Sequence, residues 1–404
     1  MTGVLQLLAL VVVACVATFL LERGGRLGYG WVTGSEFLIA GLLLGPVGLD
    51  VVSADLLRDA DVLVVIASAW MGLRLGLRLC RSEVATATPR TLISSQVEPL
   101  VALLILRGLL ELARHWTGYP GSGWSAWMLA ALGATSTKSA IAWAKSLHHS
   151  EGPVSDALQT ICDLDDLPSV FLVGVLFAFL PQRNPQLAMT FWAPLAATAV
   201  LACAVALLVY LVIGRTFRVD LAWVAMLGAG ALVSGAALPL GLRPLVVGCL
   251  AGIFLGIISS HRDALEALTR PTERPVVQVL LLLGGASIQL IPGALLLGAA
   301  FAVLRLAAKA LGGAFVGTAL RPTGRAEPRL GLGLFAGGGM AFALALSASL
   351  ALPREVAAPL LSSVGAMVLM GDLVGAPVLK WMLKRAGEIP AATEARDASD
   401  GVSS

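Results

Sequence analysis

The sequence predicts an all-α polytopic membrane protein with about 13 transmembrane helices, two inverted-topology six-helix repeats and discontinuous crossing helices. Of its 404 residues, 57% are hydrophobic and 13% are charged, whereas soluble domains carry roughly 25% charged residues. Apolar runs long enough to cross a bilayer recur along most of the chain. Two of these runs are interrupted at corresponding positions, which is typical of inverted repeats in membranes.

Hydropathy divides the chain into thirteen predicted spans, and the boundary between the tenth and eleventh rests on Pro292-Gly293. The spans cover residues 3–21, 31–52, 58–79, 91–113, 123–147, 155–180, 188–213, 220–239, 243–260, 275–290, 293–320, 328–350 and 357–383. The first has no basic leader and is therefore expected to be a spanning helix, not a cleaved signal. Residues 1–385 are expected to form a single membrane domain, and 386–404 a disordered cytoplasmic tail.

Charge sets the expected orientation and partners. With thirteen spans, most loop arginines and lysines fall on one side of the membrane, which is predicted to be cytoplasmic. The N-terminus is then outside and the C-terminus inside, in a multi-pass protein of the cell (inner) membrane. The formal charge of +3 does not indicate a nucleic-acid partner, and no cofactor is expected.

The most unusual stretch is an acidic cluster in the sixth span, Cys162-Asp-Leu-Asp-Asp-Leu-Pro168. A carboxylate at membrane depth is costly and is by default a functional candidate. On a helix, Asp163 and Asp166 share a face and Asp165 points away from Asp163. Pro168 lacks an N–H, which frees the Leu164 carbonyl. The cluster predicts a cradle for a cation or a proton; the alternative is a kinked helix whose acids pair with basic neighbours.

Two other spans contain predicted helix breaks. The fifth holds Gly133-Ala-Thr135-Ser136-Thr137-Lys138-Ser139, whose hydroxyl groups compete for backbone hydrogen bonds. The twelfth holds Gly337-Gly338-Gly339, which weakens a helix strongly. Kinking or flexible packing would be the purely structural explanation. Lys138 needs a carboxylate partner, and the acidic cluster is the nearest candidate.

The remaining intramembrane charges also need partners. Glu98 lies in the fourth span, and Arg305 and Lys309 lie on one face of the eleventh. From their matching positions, Glu98 and Arg305 are expected to form an ion pair. Arg74 and Arg78, at the end of the third span, are expected to extend to the cytoplasmic headgroups.

Several ordered motifs resemble the monovalent cation:proton antiporters, in the branch of sodium/proton antiporters and potassium-efflux exchangers. The matching stretches span almost the whole chain and are Ile39-Ala-Gly-Leu-Leu-Leu-Gly-Pro46, Met71-Gly-Leu73, Ala134-Thr-Ser136, Leu164-Asp-Asp-Leu167, Gly248-Cys-Leu-Ala-Gly-Ile-Phe-Leu-Gly256, Leu283-Gly-Gly-Ala-Ser-Ile288 and Pro377.

The resemblance implies a homodimer in which a core moves against a scaffold. Residues 91–180 and 293–385 would form the ion-binding core, 1–90 and 220–290 the dimerisation scaffold, and 188–213 a linker helix.

The resemblance also implies roles for single residues. The paired-aspartate pattern matches Asp165 and Asp166, with the second as carrier, whereas the potassium-efflux pattern matches Asp163. We rank Asp166 first and Asp163 next, as ligands of Na⁺ or K⁺. Thr135 and Ser136 match the hydroxyl positions of the broken fifth span, and Lys309 matches a lysine that pairs with the aspartate.

The expected function is exchange of Na⁺ or K⁺ for protons across the lipid bilayer by alternating access. Lys138 departs from the family pattern, so a second hypothesis is a transport-inactive sensor or scaffold of the same fold, locked by Lys138. A third is a membrane enzyme holding Mg²⁺ on a diphosphate. That chemistry needs a second acidic motif, which the sequence lacks, so no enzymatic activity is expected.

Overall fold

The computed structural model describes residues 34–81, 87–117, 123–179, 192–214, 217–289 and 292–390, and within these ranges the chain is helical without strands. The α-helices are α1 (Ser35–Leu44), α2 (Ala54–Leu79), α3 (Pro89–Thr117), α4 (Gly123–Ala134), α5 (Lys138–His148), α6 (Pro153–Leu164), α7 (Asp166–Ala178), α8 (Trp192–Ile213), α9 (Val219–Ala237), α10 (Pro244–Ile258), α11 (Arg262–Thr269), α12 (Glu273–Ser287), α13 (Pro292–Ala319), α14 (Gly339–Ser349) and α15 (Arg354–Ala386). The predicted first span, 3–21, lies outside the described residues, so the structure does not count all thirteen spans.

The helices have the length and composition of a multi-pass membrane protein. Six of them, α2, α3, α8, α9, α13 and α15, are long and apolar enough to cross a bilayer, and α1, α10 and α14 are shorter apolar helices. The all-α membrane fold predicted from the sequence is therefore confirmed.

The helices pack as two groups. Helices α3–α7 and α13–α15 contact mainly each other, and we call them the core group; α1, α2 and α8–α12 form the scaffold group. The closest scaffold contact is between α2 and α10, where Gly72 lies directly against the backbone of Leu245. Gly41 of α1 lies in the same way on Leu282 of α12. Small residues allow such close approach in lipid, so the small residues of the second span serve helix packing.

The two predicted breaks are present and meet. Residues 135–137 separate α4 from α5, and residues 335–338 separate the short 3₁₀ turn Leu330–Leu334 from α14. The Thr137 N–H donates to the Ala336 carbonyl at 3.2 Å. Thr137 also caps α5, because its Oγ1 accepts from the Ser139 N–H at 3.3 Å. Non-helical backbone thus lies inside the core group, where protein groups can satisfy it.

The sixth span breaks at Asp165 and not at Pro168. Helix α6 ends at Leu164 and α7 begins at Asp166. Pro168 lies in the first turn of α7, where helical N–H groups have no intrahelical partner. The Leu164 carbonyl accepts from Gln96 Nε2 at 3.2 Å. The Leu164 carbonyl lies at the end of a helix, and Pro168 offers it no N–H, as predicted. However, this oxygen already accepts from Gln96, so it is less available to bind a cation than the sequence suggested.

The chain beyond α15 corrects the expectation of a disordered tail from residue 386. Glu388 is buried, and its carboxylate oxygens accept from the N–H groups of Val154 at 2.7 Å and Ser155 at 2.8 Å. Its carbonyl accepts from the Glu151 N–H at 3.2 Å. An acidic side chain at a helix N-terminus satisfies free N–H groups and the helix dipole. Residues 387–390 therefore belong to the folded core group, and 391–404 lie outside the described residues.

Candidate ion-binding site

Asp165 lies at the junction of α6 and α7 and is completely buried, together with Lys309 of α13 and Glu98 of α3. Lys309 Nζ is 3.0 Å from Glu98 Oε2 and 3.5 Å from Asp165 Oδ2. The expected lysine–aspartate pair is thus formed with the first aspartate of the pair, and Glu98 completes a triad. The expected Glu98–Arg305 pair is wrong, because Lys309 takes the Glu98 carboxylate.

Arg305 bridges the two helix breaks through backbone carbonyls. Its guanidinium donates to Gly133 at 3.0 Å and Thr135 at 2.8 Å, and across the crossing to Phe335 at 2.5 Å and Ala336 at 3.4 Å. The planar guanidinium presents five donors in a fixed fork. It therefore compensates the carbonyl ends that both breaks expose, a role that helical periodicity could not indicate.

Asp166, the first-ranked carrier, faces Arg78 of the scaffold group. Arg78 Nη2 lies 3.2 Å from Asp166 Oδ2, and both side chains are buried. Arg74 is buried as well and lies 2.9 Å from Glu273 of α12. The expectation that these two arginines extend to the headgroups is wrong, because buried carboxylates are available to them inside the protein.

Lys138 pairs with Glu273 and not with the aspartate cluster. Its Nζ lies 2.9 Å from Glu273 Oε2, and Arg78 Nη1 lies 3.7 Å from Glu273 Oε1. Glu273 thus receives two cations from α2 and one from α5. The predicted partner of Lys138 is corrected accordingly.

Asp163 is half-buried and lines a cavity of about 250 Å³ that also contacts Arg78, Arg81, Thr160 and Asp156. The Asp156 side chain is 70% exposed, so the cavity reaches from the surface of the molecule to the Arg78–Asp166 pair. Asp163 therefore lines the cavity directly, whereas Asp166 is not among the lining residues and adjoins the cavity through its partner Arg78.

Several oxygen atoms of the site have no hydrogen-bond donor among the described residues. They include Oδ1 of the buried Asp166, whereas Asp165 has the Lys309 ammonium 3.5 Å from its Oδ2 and the Ser136 hydroxyl beside it. Thr135 Oγ1 instead donates to the Leu132 carbonyl at 3.0 Å. Gly338 lies against Ser136 and Thr137 at the crossing, while Gly337 packs on α15 and Gly339 begins α14. Buried oxygens without donors can accept a proton or a hard cation.

Sequence reasoning missed two members of the site. Glu273 stands in the first turn of α12, where an acidic residue is ordinary for a helix N-terminus. Gln96 lies one turn before the intramembrane Pro99, and its proximity to Glu98 was the available signal. Only the packing of distant helices gives either residue its partner.

Comparison with known proteins supports the fold. No protein-family model matches the sequence, and no curated protein matches it. The structure of the sodium proton antiporter MjNhaP1 from Methanocaldococcus jannaschii at pH 8 is similar, with a TM-score of 0.70, 15% identity, and coverage of 93% of this chain and 99% of that one. A structure of the same antiporter from an electron-microscopy map gives a TM-score of 0.65 at 14% identity, covering 94% and 97%. The predicted resemblance in fold is therefore confirmed.

Proposed function

We propose that this protein exchanges a monovalent cation, Na⁺ or K⁺, for protons by alternating access, with the aspartate cluster as the shared site. The observation that carries the proposal is that Asp165 and Asp166 are buried, with Ser136 of the first helix break beside Asp165 and Lys138, which follows that break, near Asp166. The fold is that of a sodium proton antiporter, and Na⁺ is accordingly the first cation to test.

Within this proposal Asp166 is the carrier. One of its oxygens lacks a donor among the described residues, and the cavity lined by Asp163 ends beside its partner Arg78. Asp163 serves as the outer ligand on the approach. Asp165 is already paired with Lys309, so its role is to hold charge at the site. Ser136 supplies a neutral oxygen, whereas the carbonyl of Thr135 already accepts from Arg305 and its hydroxyl donates to Leu132.

A proton and an alkali cation are expected to exclude each other from the aspartate cluster for electrostatic reasons. Burial disfavours the charged form of a carboxyl group, and an adjacent cation favours it. Interacting carboxyl groups titrate as a set. A proton and an alkali cation therefore compete for the same oxygens, and exchange results when each is released on its own side.

The test is cation-driven proton movement in proteoliposomes containing the purified protein, with Na⁺ and K⁺ supplied in turn. Asp166→Asn should abolish exchange and Asp163→Asn should weaken it. Asp156→Asn is a matched control, because it removes a carboxylate from the same cavity at a highly exposed position. Unchanged exchange in both the Asp163→Asn and Asp166→Asn proteins would exclude the proposal.

The alternative is a transport-inactive protein of the same fold, locked between its two helix groups. One observation favours it: the five carboxyl groups of Glu98, Asp163, Asp165, Asp166 and Glu273 are accompanied by the five fixed cations of Arg74, Arg78, Lys138, Arg305 and Lys309. Charge at the site is balanced without a bound ion. If the wild type is inactive and Lys138→Ala gains exchange, the locked form is correct.

A further inference from the structure

Building on the proposed exchange function, we infer that Arg78 is a tethered cation that latches the unloaded, ionised Asp166 to the scaffold group. The latch makes transport coupled, because only a carrier loaded with a proton or a cation is free to cross. Arg78 acts on the carrier without binding the transported ion, and is therefore a positioning residue.

The contacts place the latch at the interface of the two groups. Arg78 belongs to α2 of the scaffold and Asp166 to α7 of the core, and their side chains meet at 3.2 Å. A second link of the same kind joins Lys138 of the core to Glu273 of the scaffold at 2.9 Å. Any movement of the core along the scaffold separates both pairs.

Separation is unfavourable while Asp166 is ionised. Both Arg78 and Asp166 are buried, and parting them leaves two uncompensated charges in a low-dielectric interior. The crossing of an empty carrier is slowed by a factor on the order of 100 or more.

Loading removes this barrier by either route. A proton on Asp166 neutralises the charge that holds Arg78, and a bound cation competes with the guanidinium for the same carboxylate. In both cases Arg78 retains Glu273, 3.7 Å away on its own scaffold group. The guanidinium is therefore never left without a carboxylate, and the buried pair that opposes the movement is released. The Lys138–Glu273 link is also broken by the movement, but its side chains are 31% and 20% exposed, so water can solvate them and their separation costs much less.

The surroundings of the pair supply further charge. Titratable and charged groups surround Arg78 and Asp166, and they are Arg74 on α2, Arg81 just after α2, Lys138 on α5, Asp163 on α6, Asp165 at the α6–α7 junction, Cys249 on α10 and Glu273 on α12. Among the carboxyl groups of this set, only Asp163 lines the cavity, so a proton or cation arriving there meets Asp163 before Asp166.

The first experiment measures coupling. Proteoliposomes are loaded with radioactive sodium and a pH-sensitive dye, and the number of protons moved per sodium ion is recorded at a clamped membrane potential. The wild type should show a constant ratio. Arg78→Gln should lower it at least about twofold through empty return of the carrier, and Arg78→Lys should fall between them. Arg58→Gln, which removes an arginine from an exposed pair with Asp55, should keep the wild-type ratio.

The second experiment does not depend on transport. Thr160 lines the cavity, so a cysteine introduced by Thr160→Cys can be labelled with a membrane-impermeant maleimide when the cavity is open. Labelling of the native cysteines is measured in the protein without this substitution and subtracted. In sodium-free alkaline buffer the latch holds the cavity open and labelling should be fast. Adding Arg78→Gln or Asp166→Asn should slow it several-fold, because the core then distributes between its two positions.

The results separate the two proposals. The latch is overturned, with exchange intact, if Arg78→Gln leaves the proton-to-sodium ratio unchanged. It is also overturned if neither Arg78→Gln nor Asp166→Asn changes the labelling rate of Thr160→Cys. A wild type that moves neither sodium nor protons overturns the proposed function. If labelling still slows in that case, the latch stands as the lock of an inactive protein.

Discussion

The ammonium group of Lys309 lies between two carboxylates, 3.0 Å from Glu98 and 3.5 Å from Asp165, with all three side chains fully buried. The triad ties α3 and α13 to the junction of α6 and α7. One cation thus serves two acids, and removing the cation is not equivalent to removing one acid.

Lys309→Met should destabilise the protein more than Glu98→Gln. The first leaves two buried carboxyl groups without their cation, at a cost of about 3–5 kcal/mol. The second leaves Lys309 with Asp165. Thermal unfolding of the detergent-solubilised protein measures both. Arg58→Gln, in an exposed pair, should change stability by less than about 1 kcal/mol. Equal losses for the Lys309 and Glu98 variants would contradict the role of Lys309 as the cation shared by two acids.

Arg305→Lys should be strongly destabilising although it keeps the charge. A lysine ammonium is a compact donor and cannot reach four carbonyls on both sides of the crossing. Losing two charge-assisted hydrogen bonds removes about 3 kcal/mol or more. The control is Arg325→Lys, because Arg325 is an exposed arginine that also donates to one carbonyl, that of Ala386. Similar melting temperatures for the two variants would contradict the bridging role.

Glu388→Ala should weaken the start of α6 by about 1–2 kcal/mol, since two N–H groups lose their acceptor. Glu388→Gln should lose less, because its amide oxygen still accepts one bond. Hydrogen exchange at Val154 and Ser155 localises the effect. Glu355→Ala, at the exposed start of α15, is the matched control. Protection at Val154 that is unaffected by Glu388→Ala would refute the capping role.

The apparent affinity for the transported cation should fall as the pH falls. If a proton and the cation exclude each other on Asp166, each displaced proton raises the apparent KM up to about tenfold per pH unit in the acidic range, with a plateau at alkaline pH. Initial exchange rates across a pH series test this. Asp156→Asn should keep the same profile. An apparent KM that is independent of pH would mean that the two ions use separate sites.

Much of the fold follows from local sequence. Apolar length predicts the membrane helices, and hydroxyl and glycine runs predict breaks at Thr135–Ser139 and Gly337–Gly339, because both signals act through the residues' own backbone. The observed breaks at 135–137 and 335–338 overlap these runs, but Ser139 lies inside α5 and Gly339 is the first residue of α14. The position of the break in the sixth span was harder to predict from the sequence. It falls at Asp165 and not at Pro168, since the missing N–H of Pro168 acts one turn earlier, at the Leu164 carbonyl where α6 ends.

The sequence by itself determined that buried charge must be balanced: it contains intramembrane acids and bases, and each needs a partner in lipid. Only the tertiary structure decided the pairing. Lys309 binds Glu98, Arg305 binds carbonyls, Lys138 binds Glu273 and Arg78 binds Asp166. The physical reason is that these partners are distant in sequence: 211 positions for Lys309 and Glu98, 170 for Arg305 and Thr135, 135 for Lys138 and Glu273, and 88 for Arg78 and Asp166. Periodicity orders neighbours on one helix, whereas packing between helices determines which charges meet.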